Sequence, residues 1–258
     1  MSDLLDKLNT PEPAKPQTLP MMLKQNLTRL KTIAPSGFDA SRFSAALMCE
    51  VRSNPKLAEC NPLSILGAFV KSTQLGLEPG STLGHVYFLP FKGECALVIG
   101  YKGMVELGYR SKKMLSIAAR VIYENDYFVY SYGINDVLEH KPATGDRGRF
   151  TGVYAIAKLV GGGVNFEVLT SDDIEKARKS SKAGNFSPWK DHFEEMAKKT
   201  AIRRLFKYLP VGTELNRAVS IDEKTEAGIN DNRQIAEAVL DGDFEILLSD
   251  FGGGDEPS

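Results

Sequence analysis

The chain has 258 residues, 42% hydrophobic and 25% charged, which is enough apolar mass for one sizeable core or two small ones without a disulfide or metal staple. The net charge of −1 hides an asymmetry: Glu214–Ser258 holds 12 acidic and 3 basic residues, and Met1–Thr213 holds 29 basic and 21 acidic, a basic body with an acidic appendage that points to a polyanion partner. Cys49, Cys60 and Cys95 are odd in number and lack paired short spacing, and no apolar run reaches 18 residues; this excludes a disulfide scaffold, a zinc site and a membrane span, and places the chain in a reducing, cytoplasmic compartment.

In chain order, residues 1–19 are rich in proline and polar groups and read as a flexible arm. Met21–Ile33 and Ser41–Arg52 have helical periodicity, the second with Phe43, Leu47 and Val51 at core spacing. Pro62 suits the first turn of a helix over Leu63–Leu75, which Gly76, Pro79 and Gly80 terminate. Gly84–Phe91 and Cys95–Ile99 flank Lys92-Gly93-Glu94, a hairpin turn. A short helix then runs to Arg110, and strands are expected at Met114–Tyr123, Tyr127–Tyr132, Phe150–Leu159 and Val164–Leu169. Ser171 opens a helix with Asp172 and Asp173 in its first turn, and the loop Ala183–Pro188 leads into a basic helix. The pattern predicts an α+β fold, with helices packed on a central, mainly antiparallel sheet and the basic helix near the C-terminal side of the core. The expected domains are the arm 1–19, a core 20–222 and a largely disordered acidic tail 223–258.

The basic helix is the strongest local signal. Glu194–Tyr208 carries five cations and no acid after Glu195. At about 100° per residue Lys199, Arg203 and Lys207 share one stripe, while Ala197, Ala201, Ile202 and Leu205 form an apolar one. Glu194 and Glu195 are placed to neutralise Lys198 and Lys199 locally, whereas Arg203, Arg204 and Lys207 have no such neighbour. The stripe therefore reads either as a ridge for a polyanion or as an ordinary solvated face.

Gly100-Tyr101-Lys102-Gly103 sits between a strand and a helix, where free N–H groups, the helix dipole and Lys102 could converge on a phosphate; the glycines could equally serve the turn itself. Arg110, Lys112 and Lys113 extend the cationic track. Tyr87, Tyr101, Tyr109, Phe186 and Trp189 are candidate stacking surfaces, Trp189 first because the loop before it could hold it partly exposed, with Lys182 beside it as a phosphate clamp. Signals for catalysis are poor, and no catalytic residue, metal site or cofactor is expected. No P-loop motif occurs, the three histidines are far apart, and the pairs Asp172-Asp173 and Glu194-Glu195 read as helix N-terminal charge.

Blocks spread over most of the chain carry a family resemblance. Gln74–Gly80, Leu83–Phe91, Ile99–Met104, Ser181–Asn185, Trp189 and Glu194–Val211 resemble the RecT family of phage and prophage recombinases, from about Leu23 to Asp222. The resemblance implies an ATP-independent single-strand annealing protein of a bacterial cell, distantly related to the Redβ group, with no covalent catalytic step. Its implied partners are single-stranded DNA, the annealed duplex intermediate, copies of itself in rings or helical filaments, and an exonuclease that makes 3′ overhangs. On this view Lys102, Lys198, Lys199, Arg203, Arg204 and Lys207 hold phosphates and leave base edges free. In the tail, Phe244, Ile246, Leu247, Leu248 and Phe251 are expected to recruit the exonuclease or a host single-strand binding protein; suppression of DNA binding by the acidic groups, or a purely solubilising role, are the alternatives there. A metal-dependent nuclease and a passive single-strand binder are the competing functions.

Overall fold

The computed structural model describes residues 18–80, 83–181, 188–210 and 212–243. Most of the N-terminal arm, Lys182 and the apolar run from Phe244 to Phe251 lie outside the described residues. Among these, α1 (Leu19–Ile33), α2 (Ala40–Ser53), α3 (Pro55–Ala58) and α4 (Pro62–Gln74) come first. Hairpin β1 (Val86–Phe91) and β2 (Glu94–Ile99), α5 (Tyr101–Arg110) and β3 (Met114–Tyr123) follow. The ribbon β4 (Tyr127–Ser131) and β5 (Val137–Lys141) precedes β6 (Phe150–Leu159) and β7 (Val164–Thr170). The chain continues through α6 (Ser171–Ser180), α7 (Pro188–Asp191), α8 (Phe193–Phe206), α9 (Thr213–Glu226) and α10 (Asn232–Asp241). None of these helices is long and apolar enough to cross a membrane.

Local chemistry sets the boundaries. Asp39 caps α2 by accepting from the N–H groups of Ser41 and Arg42, and Asn61 caps α4 with Pro62 at its first position. Helix α1 stops at Ala34, which is extended as the residue before Pro35 must be. Thr170 and Asp173 form a reciprocal capping box on α6, so that aspartate works as a helix cap. In the β1–β2 hairpin both Lys92 and Gly93 have positive φ, 51° and 77°. The turn is thus a two-residue one, one shorter than the sequence suggests, and it puts Phe91 opposite Glu94.

The fold is α+β with antiparallel sheets, as expected, but the strands divide into three sheets: β1-β2, β3-β6-β7 and β4-β5. Buried Val153, Ala155 and Ala157 give the β6 face small side chains on which α8 lies through Ala197, Ala201 and Ile202. On the opposite face the β4–β5 ribbon stacks Phe128 on Tyr154 and Tyr132 on Phe166, with ring centroids 5.6 and 5.1 Å apart.

The predicted tail boundary at 222/223 is wrong. Helix α9 runs on to Glu226, and α10 buries Ile235, Ala236 and Val239 against α4. The end of α9, the connection and the start of α10 together cover the free edge of β2. Asp222 Oδ1 accepts from Ile99 N–H at 3.3 Å, Thr225 Oγ1 donates to Leu97 O at 3.0 Å, and the amides of Asn230 and Asn232 donate to Cys95 O. A covered edge cannot template pairing with another chain, and Ile99 N–H, Leu97 O and Cys95 O are satisfied. Arg29 of α1 closes the far end of α10 by donating to the carbonyls of Val239 and Leu240. Composition misled here because the acidic count outweighs the apolar stripe that packs.

Candidate nucleic-acid interface

Two members of the cationic stripe, Lys199 and Arg203, meet carboxylates of α9 rather than water. Lys199 is 2% exposed, with its Nζ 2.6 Å from Asp222 Oδ1 and 3.7 Å from Glu226 Oε1. Arg203 Nη1 lies 3.0 Å from Asp222 Oδ2 and 2.6 Å from Glu226 Oε2. Burial pushes the Asp222 carboxyl up, while Lys199 and Arg203 pull it back. Lys207 meets Glu223 at 3.1 Å, but both are exposed, so that pair contributes little and can be exchanged for another anion. The ridge reading therefore fails for Lys199 and Arg203. Their counter-charges come from the next helix, about twenty residues downstream, where a helical wheel of one segment cannot show them.

Three other sequence candidates do come together. A cleft of about 490 Å³ opens between β1–β2, the start of α5 and the α7–α8 junction, lined by Tyr87, Tyr101, Lys102, His192, Glu195 and the buried Lys199 among others. Burial raises both tyrosine pKa values, and Glu195 adds to each, accepting a hydrogen bond from Tyr101. Lys102 is exposed at the rim. The N–H groups of Tyr101, Lys102 and Gly103 are the first-turn donors of α5, which has no acidic residue in that turn and no side-chain cap. Gly100 and Gly103 serve the fold rather than a ligand. A Cβ on either would stand 2.2 Å from Gly84 O or 2.3 Å from His85 O, so glycine lets the β1 entry cross the helix start.

A second depression of about 200 Å³ lies on the other side of the first turn of α8, lined by Arg120, His140, Arg147, Glu194 and Lys198 among others. Lys198 is bonded to Glu195 at 3.0 Å. Beneath the depression Asp126 accepts from Arg147 Nε at 2.9 Å, from the N–H groups of Ala143 and Tyr123, and bonds His140 Nε2 at 3.0 Å. The Arg147 guanidinium holds the Asp126 carboxyl far below the usual carboxylate range. Sequence reading missed Arg120 and Arg147. Arg120 is a single cation in a largely apolar strand, and only the fold shows that it is exposed beside Arg147.

The remaining candidates are scattered. Arg110 donates to Leu75 O and Gly76 O at 2.9 Å each and bonds Glu106, so it caps the end of α4. Lys112 and Lys113 are exposed at the α5–β3 turn. Exposed Arg204 points toward Glu167 and Asp173, whose titration it influences. Trp189 is buried, its ring 5.9 Å from Phe193, which packs edge-on to Phe150. That apolar nest removes Trp189 as a stacking platform.

Residues 41–237 match the model of the RecT family. Protein RecT of Escherichia coli (strain K12) is 44% identical over 227 residues, covering 85% of this chain and 83% of that protein. YqaK of Bacillus subtilis (strain 168), an uncharacterized protein, is 24% identical over 195 residues, 75% of this chain and 68% of its own length. The chain belongs to the RecT family of DNA recombination proteins.

Proposed function

We propose that this protein binds single-stranded DNA and anneals complementary strands without ATP or any covalent step. It acts as an oligomer on overhangs that a partner exonuclease exposes. The observation that carries the reading is the convergence of Tyr87, Tyr101 and Lys102, from the hairpin and from α5, on one cleft. Stacking on tyrosine uses the face of a base and is worth about 1–3 kcal/mol. It leaves the Watson–Crick edge free, so pairing itself tests complementarity. The carboxylate of Glu195 disfavours a phosphate inside the cleft, so the backbone runs along the exposed rim. There Lys102 holds it, with Lys112 and Lys113 beyond, and Arg120 and Lys198 across the first turn of α8. Surface pairs such as Lys198–Glu195 are weak enough to yield to phosphate.

The triple change Lys102→Ala, Lys112→Ala and Lys113→Ala is expected to weaken single-strand binding. Each lost contact should flatten the slope of log affinity against log salt by about 0.7, so the three together flatten it by about two. Fluorescence anisotropy of a labelled oligonucleotide across a salt series measures this. An unchanged slope would remove these lysines from the interface.

A further inference from the structure

The β4–β5 ribbon carries apolar surface that the core does not use. Tyr127, Val129, Tyr130, Tyr132 and Val137 are all exposed, and Ile134 at the tip is fully so. Single exposed apolar residues are ordinary, but Tyr127, Val129 and Val137 share the outward face of one short ribbon with Ile134 at its tip. The ribbon is stiff. Its base is fixed by the four groups bonded to Asp126, and Tyr132 ties its far end to the sheet by stacking on Phe166 and accepting from Val168 N–H at 3.0 Å. Gly133 N–H donates to Asp136 Oδ1 at 2.7 Å, so the tip loop is ordered with an acidic group beside Ile134.

Elsewhere, between the β1–β2 hairpin and the α9–α10 connection, lies an apolar cleft of about 90 Å³ walled by Leu89, Phe91, Val98 and Ile229. One water needs about 10–15 Å³ by the same measure, so a branched aliphatic side chain fits. Exposed Lys92, whose Nζ sits 5.3 Å from the Phe91 ring, puts positive charge at its rim, while half-buried Lys224 is paired with Asp231 at 3.5 Å. Shape, polarity and charge thus complement the ribbon tip.

We infer that copies of this chain join head to tail, the β4–β5 tip of one placing Ile134 in the Leu89–Phe91–Ile229 cleft of the next, with Asp136 facing the lysine rim. The tip and the cleft are different surfaces, so the contact is heterologous and repeats into a ring or an open filament. This inference rests on the oligomeric part of the proposed function and supplies its interface.

Ile134→Asp and Ile229→Asp test it, since both side chains are exposed in the subunit and neither change disturbs its core. Light scattering and sedimentation without DNA should show the wild type assembling beyond a dimer. Each variant alone should associate at least tenfold more weakly, with a melting profile like that of the wild type. An equimolar mixture should form a heterodimer, because Ile134→Asp keeps an intact cleft and Ile229→Asp an intact tip. Wild-type assembly by either variant, a mixture that stays monomeric, or a wild type that stops at a dimer would overturn the inference. Because no DNA is present, failure here leaves strand annealing standing, and failure of annealing leaves this contact standing.

Discussion

Replacing Asp222 with alanine should cost the fold about 3–5 kcal/mol, the range for breaking a buried ion pair from one side. The carboxylate sits between Lys199 and Arg203 and also accepts from Ile99 N–H, so its loss leaves the buried Lys199 ammonium and Arg203 to share Glu226, which is 3.7 Å from Lys199 Nζ. It also removes the acceptor for the β2 edge. For a chain of this size each kcal/mol moves the melting temperature by about 2–4 °C, so a fall on the order of 10 °C is expected in calorimetry or thermal circular dichroism. The double change Asp222→Leu with Lys199→Met, which removes both charges and keeps the volume, should recover part of that loss. A melting temperature for Asp222→Ala within a degree or two of wild type would mean that Lys199 reaches solvent and remains available to DNA.

Gly67→Ala is the second large effect. At this position α4 meets the first residue of α10 so closely that an alanine Cβ would stand 1.8 Å from Asn232 O. That atom is backbone and cannot rotate away, so α10 itself must move. The expected cost is at the upper end of the roughly 1–3 kcal/mol typical of overpacking. Asn232 also bonds Cys95 O, so the displacement passes to the β2 edge. Amide exchange over residues 232–241 should accelerate by an order of magnitude or more, while that of β3, β6 and β7 changes little. Gly161→Ala, where nothing lies within 4 Å of the added methyl, is the neutral control. Equal exchange in both variants would show that α10 is not docked on Gly67.

Where the sequence repeats a period over a long segment, the structure follows it closely. Residues Phe43, Leu47 and Val51 place α2, and the apolar runs of β3 and β6 give both strands their observed ends. What could not be read locally is which surface a patterned face meets. The stripe Lys199–Arg203–Lys207 is present as drawn, but Asp222, Glu223 and Glu226 form a matching acidic stripe on α9. Only the ion pairs between the two helices reveal that they neutralise each other. Ile235, Ala236 and Val239 already show helical spacing, and the acidic composition around them concealed a packed helix. Of the site, Tyr87, Tyr101 and Lys102 were legible because a strand-to-helix turn concentrates donors and aromatic groups in one stretch. Arg120 and Arg147 were not, being single cations on separate segments that the fold of the sheet brings to one depression.

The central claim is that the rim and cleft at the start of α5 hold one strand with its pairing edges free. The direct test is the rate at which two complementary fluorescent oligonucleotides form a duplex in the absence of any nucleotide triphosphate. Wild-type protein should raise that rate at least tenfold over the spontaneous reaction and leave non-complementary strands unpaired. Tyr101→Ala combined with Lys102→Ala should abolish most of the gain in a protein that still unfolds cooperatively, Tyr101 being only partly buried against the core. Pairing no faster than in buffer with wild-type protein, or full acceleration by the folded double variant, would contradict the account.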